Sequence, residues 1–343
     1  AGSVGKEIRD FLDTGASFNF YMFHGGTNFG FTAGANFNPG EGYQPTVTSY
    51  DYCALLNEWG DYTPAYHEVR KILCEHQGIE TGALPPAPKL QSIGTVELNE
   101  FAPLFDNLCN IAEKHRAAVP QSMEYFGQNF GLIYYETVLS GKYDLSPIEF
   151  RNVHDFGYVY FDGKLKKRID RTQYTVKKKG IRSLFGLKRE EKFLMPALSG
   201  NRKIGVLVDS MGRVNYGDQI MDRKGMTDIY IGNQRQMGYD VYTMPLDNLD
   251  KLEYTAKADS LPVFLRGRFK ASSKADCFVH LSGFQKGYVW VNGFNLGRYW
   301  NVGPQRSLYL PGALLKEENE IIVLEMESFS KNRVTLTDQH DLG

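Results

Sequence analysis

SFNFYMFHGGTNFGFTAGANFNPGEGYQPTVTSYDY, residues 17–52, decides how the rest of the chain is read. It opens with an uncharged run, Phe18-Asn19-Phe20-Tyr21-Met22-Phe23, of the length and composition of a strand buried on both faces in a parallel sheet. It then breaks at Gly25-Gly26 into a loop rich in glycine, asparagine and aromatics. Upstream, Val4, Ile8, Phe11 and Leu12 recur at helical spacing, and Gly15 stands where a C-terminal cap belongs. Downstream, Thr63-Pro64 reads as N-cap plus N1 proline. Ala65, Val69, Ile72 and Leu73 then form an apolar stripe that ends at Gly78. Helix, strand, long loop, helix is a fragment of a βα repeat. A loop running from Gly25 to Tyr62 is too long for a plain connector. Phe29, Phe31, Phe37, Tyr43, Tyr50 and Tyr52 give it buriable surface, which argues against disorder. In βα barrels such loops, after the C-terminal ends of strands, build the active site.

The run YMFHGGTNFGFTAGANF (residues 21–37) followed by TSYDY (residues 48–52) resembles the family 35 glycoside hydrolases, the β-galactosidases related to the lysosomal acid enzyme. The resemblance continues in MGRVNYG (residues 211–217) and GYVWVNGFNLGRYWNVGPQRSLYLPG (residues 287–312), so it spans most of the chain. It implies a multidomain fold, the C-terminal end of a TIM (β/α)8 barrel followed by two all-β jelly-roll domains of the galactose-binding-like type. The activity it implies is retaining hydrolysis of terminal non-reducing β-D-galactose from galactosides, with no metal or organic cofactor. Retention requires two carboxyl groups ~5–5.5 Å apart. In the family both are glutamates, on the fourth and seventh barrel strands. Neither motif occurs in residues 1–343, which open on the helix preceding the eighth strand. The expectation is therefore a chain without catalytic residues of its own, inactive alone, whose partners are a galactoside and the missing N-terminal barrel portion.

The resemblance also assigns sugar contacts. The tyrosine of YMF and the second tyrosine of SYDY line the family's galactose pocket, which points to Tyr21 and Tyr52. Tyr216, in the turn that reaches the barrel mouth in some members, is the third candidate. The plain alternative for each is a core tyrosine with a satisfied hydroxyl. Asp51 reads as a loop-bracing acceptor, and Glu58 as a pairing or capping group near the next helix. His24 has the look of a base placed after a strand; a hydrogen-bonded rim histidine is the preferred reading. Arg213 and Asn215 read as braces of their turn. Trp290, Tyr299 and Trp300 suit either a sugar platform or, more commonly, core and interdomain packing.

From residue 84 the chain changes character. Leu84-Pro85-Pro86-Ala87-Pro88 marks a stiff linker. Strands are expected at residues 94–98, 131–139, 158–161, 204–208, 264–269, 277–281, 288–291, 307–310 and 320–327, with Asp162-Gly163 and Asn292-Gly293 as hairpin turns. The resulting division is a barrel unit at 1–78, a connector at 79–118, a first jelly roll at 119–245 and a second at 246–343.

The 343 residues accommodate two or three domains. A net charge of −1 gives no whole-chain pull toward nucleic acid or an anionic membrane. No run reaches the ~18 apolar residues of a membrane helix. Four cysteines without a CxxC pair argue against a metal site and against a disulfide scaffold. With no Asn-x-Ser/Thr sequon, the expectation is a cytoplasmic, bacterial protein. Residues 164–192 hold twelve basic and three acidic side chains. Read as a solvated face, they leave a nucleic-acid binder as a lesser rival. The other rival is a non-catalytic carbohydrate-binding β-sandwich protein. Homo-oligomerisation stays open.

Overall fold

The computed structural model describes residues 2–51, 53–173 and 192–343. They form two units, each assembled from separate stretches of chain: one from residues 1–30, 47–101 and 255–343, the other from residues 31–46 and 102–254. Among the described residues, no helix is long and apolar enough to cross a membrane.

The first unit contains the two expected helices, Gly2–Asp13 and Pro64–Gln77. Thr63 caps the second, its hydroxyl accepting from the Tyr66 amide at 3.3 Å. Gly78 ends it in the left-handed region, φ 66°, where a side chain would be strained. The apolar stripes meet in a small cluster of Ile8, Leu55, Ala65, Val69 and Ile72.

Residues 18–23, expected as a buried strand, are not one. Their backbone is coil and turn, with Tyr21 81% exposed. A strand needs neighbours to take its amides and carbonyls. Among the described residues, only an isolated parallel bridge, His24 with Leu56, closes the end of the run. The rings pack on one another instead: Phe18 edge-on to Phe20, Phe20 to Phe23, Phe23 to Tyr66.

The rest of this unit is a sandwich. One sheet runs Phe294–Trp300, Lys286–Val291, Glu318–Glu325, Val263–Lys270, Glu100–Pro103. The other runs Ser307–Leu310, Cys277–His280, Arg333–Thr337, Gly94–Glu97. Alternate residues from both, among them Val263, Leu265, Val289, Val291, Val279, Leu308 and Leu336, fill one core. Asn292 and Gly293 make the expected two-residue hairpin, both at positive φ, 52° and 82°.

The second unit repeats the plan. A six-stranded sheet runs Lys164–Asp170, Phe156–Phe161, Arg202–Asp209, Leu132–Leu139, Tyr239–Met244, Glu113–Ala117. It packs on a sheet built around Ser146–Arg151 and Asp228–Ile231, and Ile133, Tyr135, Val206, Val208, Ile148, Phe150 and Ile229 share the core. A small third sheet joins Gly34–Asn38 and Gly42–Pro45, from the opening loop, to Arg213–Val214.

Residues 79–118, expected as a connector, carry Gly94–Glu97, Glu100–Pro103 and Glu113–Ala117, which are edge strands of these sheets. Short polar strands such as Glu113–Ala117, with no strong apolar alternation, do not announce themselves in sequence. The basic run 164–192 falls partly outside the described residues. Its described part includes Arg171, which is buried rather than solvated because two carboxylates hold it.

Candidate functional site

The opening loop divides between the units, and each part is held differently. In the first unit, the ends of the loop fold onto each other. The Gly25 amide donates to the Leu56 carbonyl at 3.2 Å, Leu56 to Phe23 at 2.9 Å, and Tyr50 to Gly26 at 3.0 Å. A Cβ on Gly25 would meet the Tyr50 carbonyl at 2.5 Å, so glycine is required for this close approach. The loop is also pinned to the sandwich. Thr48 Oγ1 donates to the Arg298 carbonyl at 2.6 Å, and the Ser49 amide to Gln305 Oε1 at 2.8 Å. Trp59 packs against Phe278 and His340.

Glu58 lies within this knot, 3% exposed. Thr27 Oγ1 donates to its Oε1 at 2.6 Å. Burial pushes the carboxyl up to about 7; hydrogen bonds from Thr27 and Ser49 oppose the shift, and the Asp51 charge adds to it. Of the two sequence readings of Glu58, capping is corrected: Thr63 supplies the cap, and Glu58 is a buried acid that accepts from Thr27. Asp51 braces the loop as expected, its Oδ2 accepting the Glu58 amide at 3.3 Å. His24 is hydrogen-bonded, its Nε2 3.2 Å from the Glu58 carbonyl oxygen.

In the second unit, the loop segment 31–46 is a hairpin held by a buried charge cluster. Arg171 Nη1 donates to Asp155 Oδ1 at 2.6 Å and to Asp222 Oδ1 at 2.7 Å. Lys224 Nζ donates to Asp155 Oδ2 at 2.6 Å, Asp222 Oδ2 at 2.7 Å and the Gly212 carbonyl at 2.6 Å. The ring of Tyr43 lies 4.3 Å from the Arg171 guanidinium and 5.2 Å from the Lys224 ammonium, and its hydroxyl donates to Gly212 at 2.6 Å. Burial alone would raise both carboxyls. Lys224 and Arg171 hold Asp155 below the usual range, and His154, Lys224 and Arg171 do the same for Asp222. Two acids bridged by one guanidinium invite comparison with a glycosidase pair. Asp155 is 0% exposed, however, and both acids are neutralised, so neither can meet a sugar. Sequence reasoning missed this cluster, because its members lie far apart in the chain and converge only through the sheets.

The three expected sugar contacts fall as follows. Tyr21 is exposed in the first unit and Tyr216 is exposed in the second, 53%. Tyr52 lies outside the described residues. Arg213 braces the Tyr216 turn, donating to Glu124 Oε1 and to the Asn129 carbonyl, each at 2.6 Å. Asn215 joins it through its amide to the Ala35 carbonyl at 3.1 Å. Among the described residues, no group of three or more His, Cys, Asp or Glu could hold a metal ion. The four cysteines are free.

Three family models match the chain: glycosyl hydrolases family 35 over residues 1–76, the first all-beta domain of beta-galactosidase over 120–246, and the beta-galactosidase galactose-binding domain over 262–320. Beta-galactosidase of Xanthomonas manihotis is 35% identical over 314 residues, 89% of this chain and 49% of that protein. Beta-galactosidase-1-like protein 2 of Homo sapiens is 35% identical over 366 residues, 100% of this chain and 53% of that protein. The chain thus spans about half the length of the curated relatives it matches. A solved α-L-rhamnosidase of Streptomyces avermitilis matches at TM-score 0.22 and 11% identity, over 74% of this chain and 27% of that one, too weakly to carry an argument. The family 35 match at residues 1–76, the beta-galactosidase domain matches at 120–246 and 262–320 and the 35% identical beta-galactosidase relatives together support a C-terminal portion of a glycosyl hydrolase family 35 beta-galactosidase.

Proposed function

We propose that the chain is part of a retaining β-galactosidase that removes terminal non-reducing β-D-galactose from galactosides. In this reading residues 1–78 close a TIM (β/α)8 barrel, and the two sandwiches are its jelly-roll domains. The carrying observation is the motif at residues 21–52, within the segment matched by the family 35 model. Tyr21, Tyr52 and Tyr216 contact the sugar or its aglycone. A phenol of pKa ~10 stays protonated at neutral pH, so it can donate a hydrogen bond but cannot replace a carboxylate nucleophile. Asp51 is occupied by the Glu58 amide, Glu58 is buried, and Asp155 and Asp222 are neutralised. In this reading the catalytic pair belongs to other strands of the barrel, and these four acids take no part in it.

The test is hydrolysis of an aryl β-galactoside. Residues 1–343 alone give no turnover above background. Supplying the N-terminal barrel portion of a family 35 enzyme, fused or in trans, restores hydrolysis with retention of anomeric configuration, read by NMR. In that enzyme Tyr21→Phe lowers kcat more than it raises KM, by roughly tenfold or more for a lost charge-assisted hydrogen bond. Turnover by residues 1–343 alone, abolished at Asp51 or Glu58, would overturn the reading.

A further inference from the structure

We propose that Glu58 is a positioning residue for the galactosidase described above: its carboxyl clamps the arm of the opening loop that follows Tyr21 to the arm that precedes Tyr52. What the two tyrosines do rests on that reading; the clamp itself rests on geometry. Both arms converge on this one residue. From the first arm, Thr27 Oγ1 donates to Glu58 Oε1 at 2.6 Å, and His24 Nε2 lies 3.2 Å from the Glu58 carbonyl oxygen. From the second, the Ser49 hydroxyl hydrogen-bonds the Glu58 carboxyl, and Asp51 Oδ2 accepts the Glu58 amide at 3.3 Å. Thr27 and Ser49 also face each other across an isolated antiparallel bridge, so one carboxyl holds both sides of the junction. Trp59, next in sequence, packs against Phe278 and His340 and fixes this stretch to the sandwich.

The clamp depends on the proton. Burial disfavours the charged form and brings the carboxyl up to about 7, with the Asp51 charge adding to the rise. Neutral, the carboxyl stays under the loop on its hydroxyl partners. Ionised, it is a buried charge beside a second carboxylate, and parting the arms to admit water relieves it. Titratable groups beside it are His24 and Asp51 on the loop, Tyr309 on the strand Ser307–Leu310, and His340 behind Trp59. The Tyr309 hydroxyl donates to Asp276 Oδ2 at 2.8 Å; burial, that bond and the charges of Asp276 and Glu58 keep the phenol protonated. Asp51 and both histidines remain in Glu58→Gln, so that variant isolates the carboxyl. One pH unit above its midpoint, about one chain in eleven keeps the neutral form, so a substrate that needs the clamped loop binds about tenfold more weakly.

The reconstituted enzyme, residues 1–343 joined to a family 35 barrel portion, is assayed on an aryl β-galactoside from pH 6 to 8. KM, separated from kcat, should rise about tenfold across that span in the wild type and stay level in Glu58→Gln. Parallel KM profiles in the two proteins overturn the proposal. Absence of turnover counts against the galactosidase reading instead, and the clamp is then decided in the 343-residue chain by amide hydrogen exchange, corrected for the intrinsic effect of pH. The amides of Gly25, Tyr50 and Leu56 tie the arms together at 3.2, 3.0 and 2.9 Å. They should lose protection about tenfold between pH 6 and 8 in the wild type and keep it in Glu58→Gln. Equal loss in both proteins, or no loss in the wild type, overturns the clamp.

Discussion

The environment of Glu58 departs from what its neighbours in sequence imply. Its burial raises the folded pKa to about 7 from an ordinary 4.5. The folded state then binds a proton that the unfolded state has released, so stability falls as pH rises between those two values and levels off above the upper one. The full span is worth up to about 3 kcal/mol at 1.36 kcal/mol per unit. Urea denaturation of the chain from pH 4.5 to 7.5 should show this decline, and Glu58→Gln, which keeps the shape and a hydrogen bond for Thr27, should flatten it. Equal pH profiles for the two proteins would show that the carboxyl ionises freely. The acidic limb belongs to other residues. Asp155 and Asp222 have depressed folded values, so their contribution is present above about pH 4 and lost as pH falls below it.

Those two acids matter at the level of the element they hold. Among the described residues, the hairpin of Gly34–Asn38 and Gly42–Pro45 pairs with only the two-residue strand Arg213–Val214, too little on its own to order it. Tyr43 on two buried cations, with its hydroxyl on Gly212, supplies the anchor. Removing one member of a buried ionic set leaves an uncompensated charge, worth about 3–5 kcal/mol. Asp222→Asn and Lys224→Met should each lower stability by that order. The double variant should cost clearly less than the sum, measured as a double-mutant cycle in urea; additive losses would mean the groups act independently. The hairpin turns, both helices with their caps and the central strands were legible in sequence, because each rests on local chemistry: Asn292-Gly293, Thr63-Pro64, or the alternation of Ile204, Val206 and Val208. The coil at residues 18–23 was not, since strand formation depends on neighbours that no local pattern reports. Nor was the partition of the candidate site. Tyr21 and Tyr216 were named from motifs and are exposed, whereas the roles of Asp155, Arg171, Asp222 and Lys224 arise only when strands distant in sequence converge.

At the scale of the whole molecule, exposed apolar groups gather where the expected barrel strand and its helix lie: Phe11, Tyr21 and Phe23 are 43%, 81% and 46% exposed. Burying such rings yields roughly 25 cal/mol per Å², and large exposed apolar patches mark interaction or aggregation sites. The purified chain should therefore self-associate, seen as a concentration-dependent mass in light scattering, and a barrel portion added in trans should suppress it. A monodisperse monomer at high concentration would contradict this. The passage of residues 31–46 out of the first unit and into the second has a further consequence, for synthesis in time. Tyr43 leaves the ribosome 169 residues before the Gly212 carbonyl that receives its hydroxyl, and Thr48 leaves 250 before Arg298. Neither unit can close in the order in which it is translated. The opening loop cannot complete these contacts until the chain has been translated through Arg298.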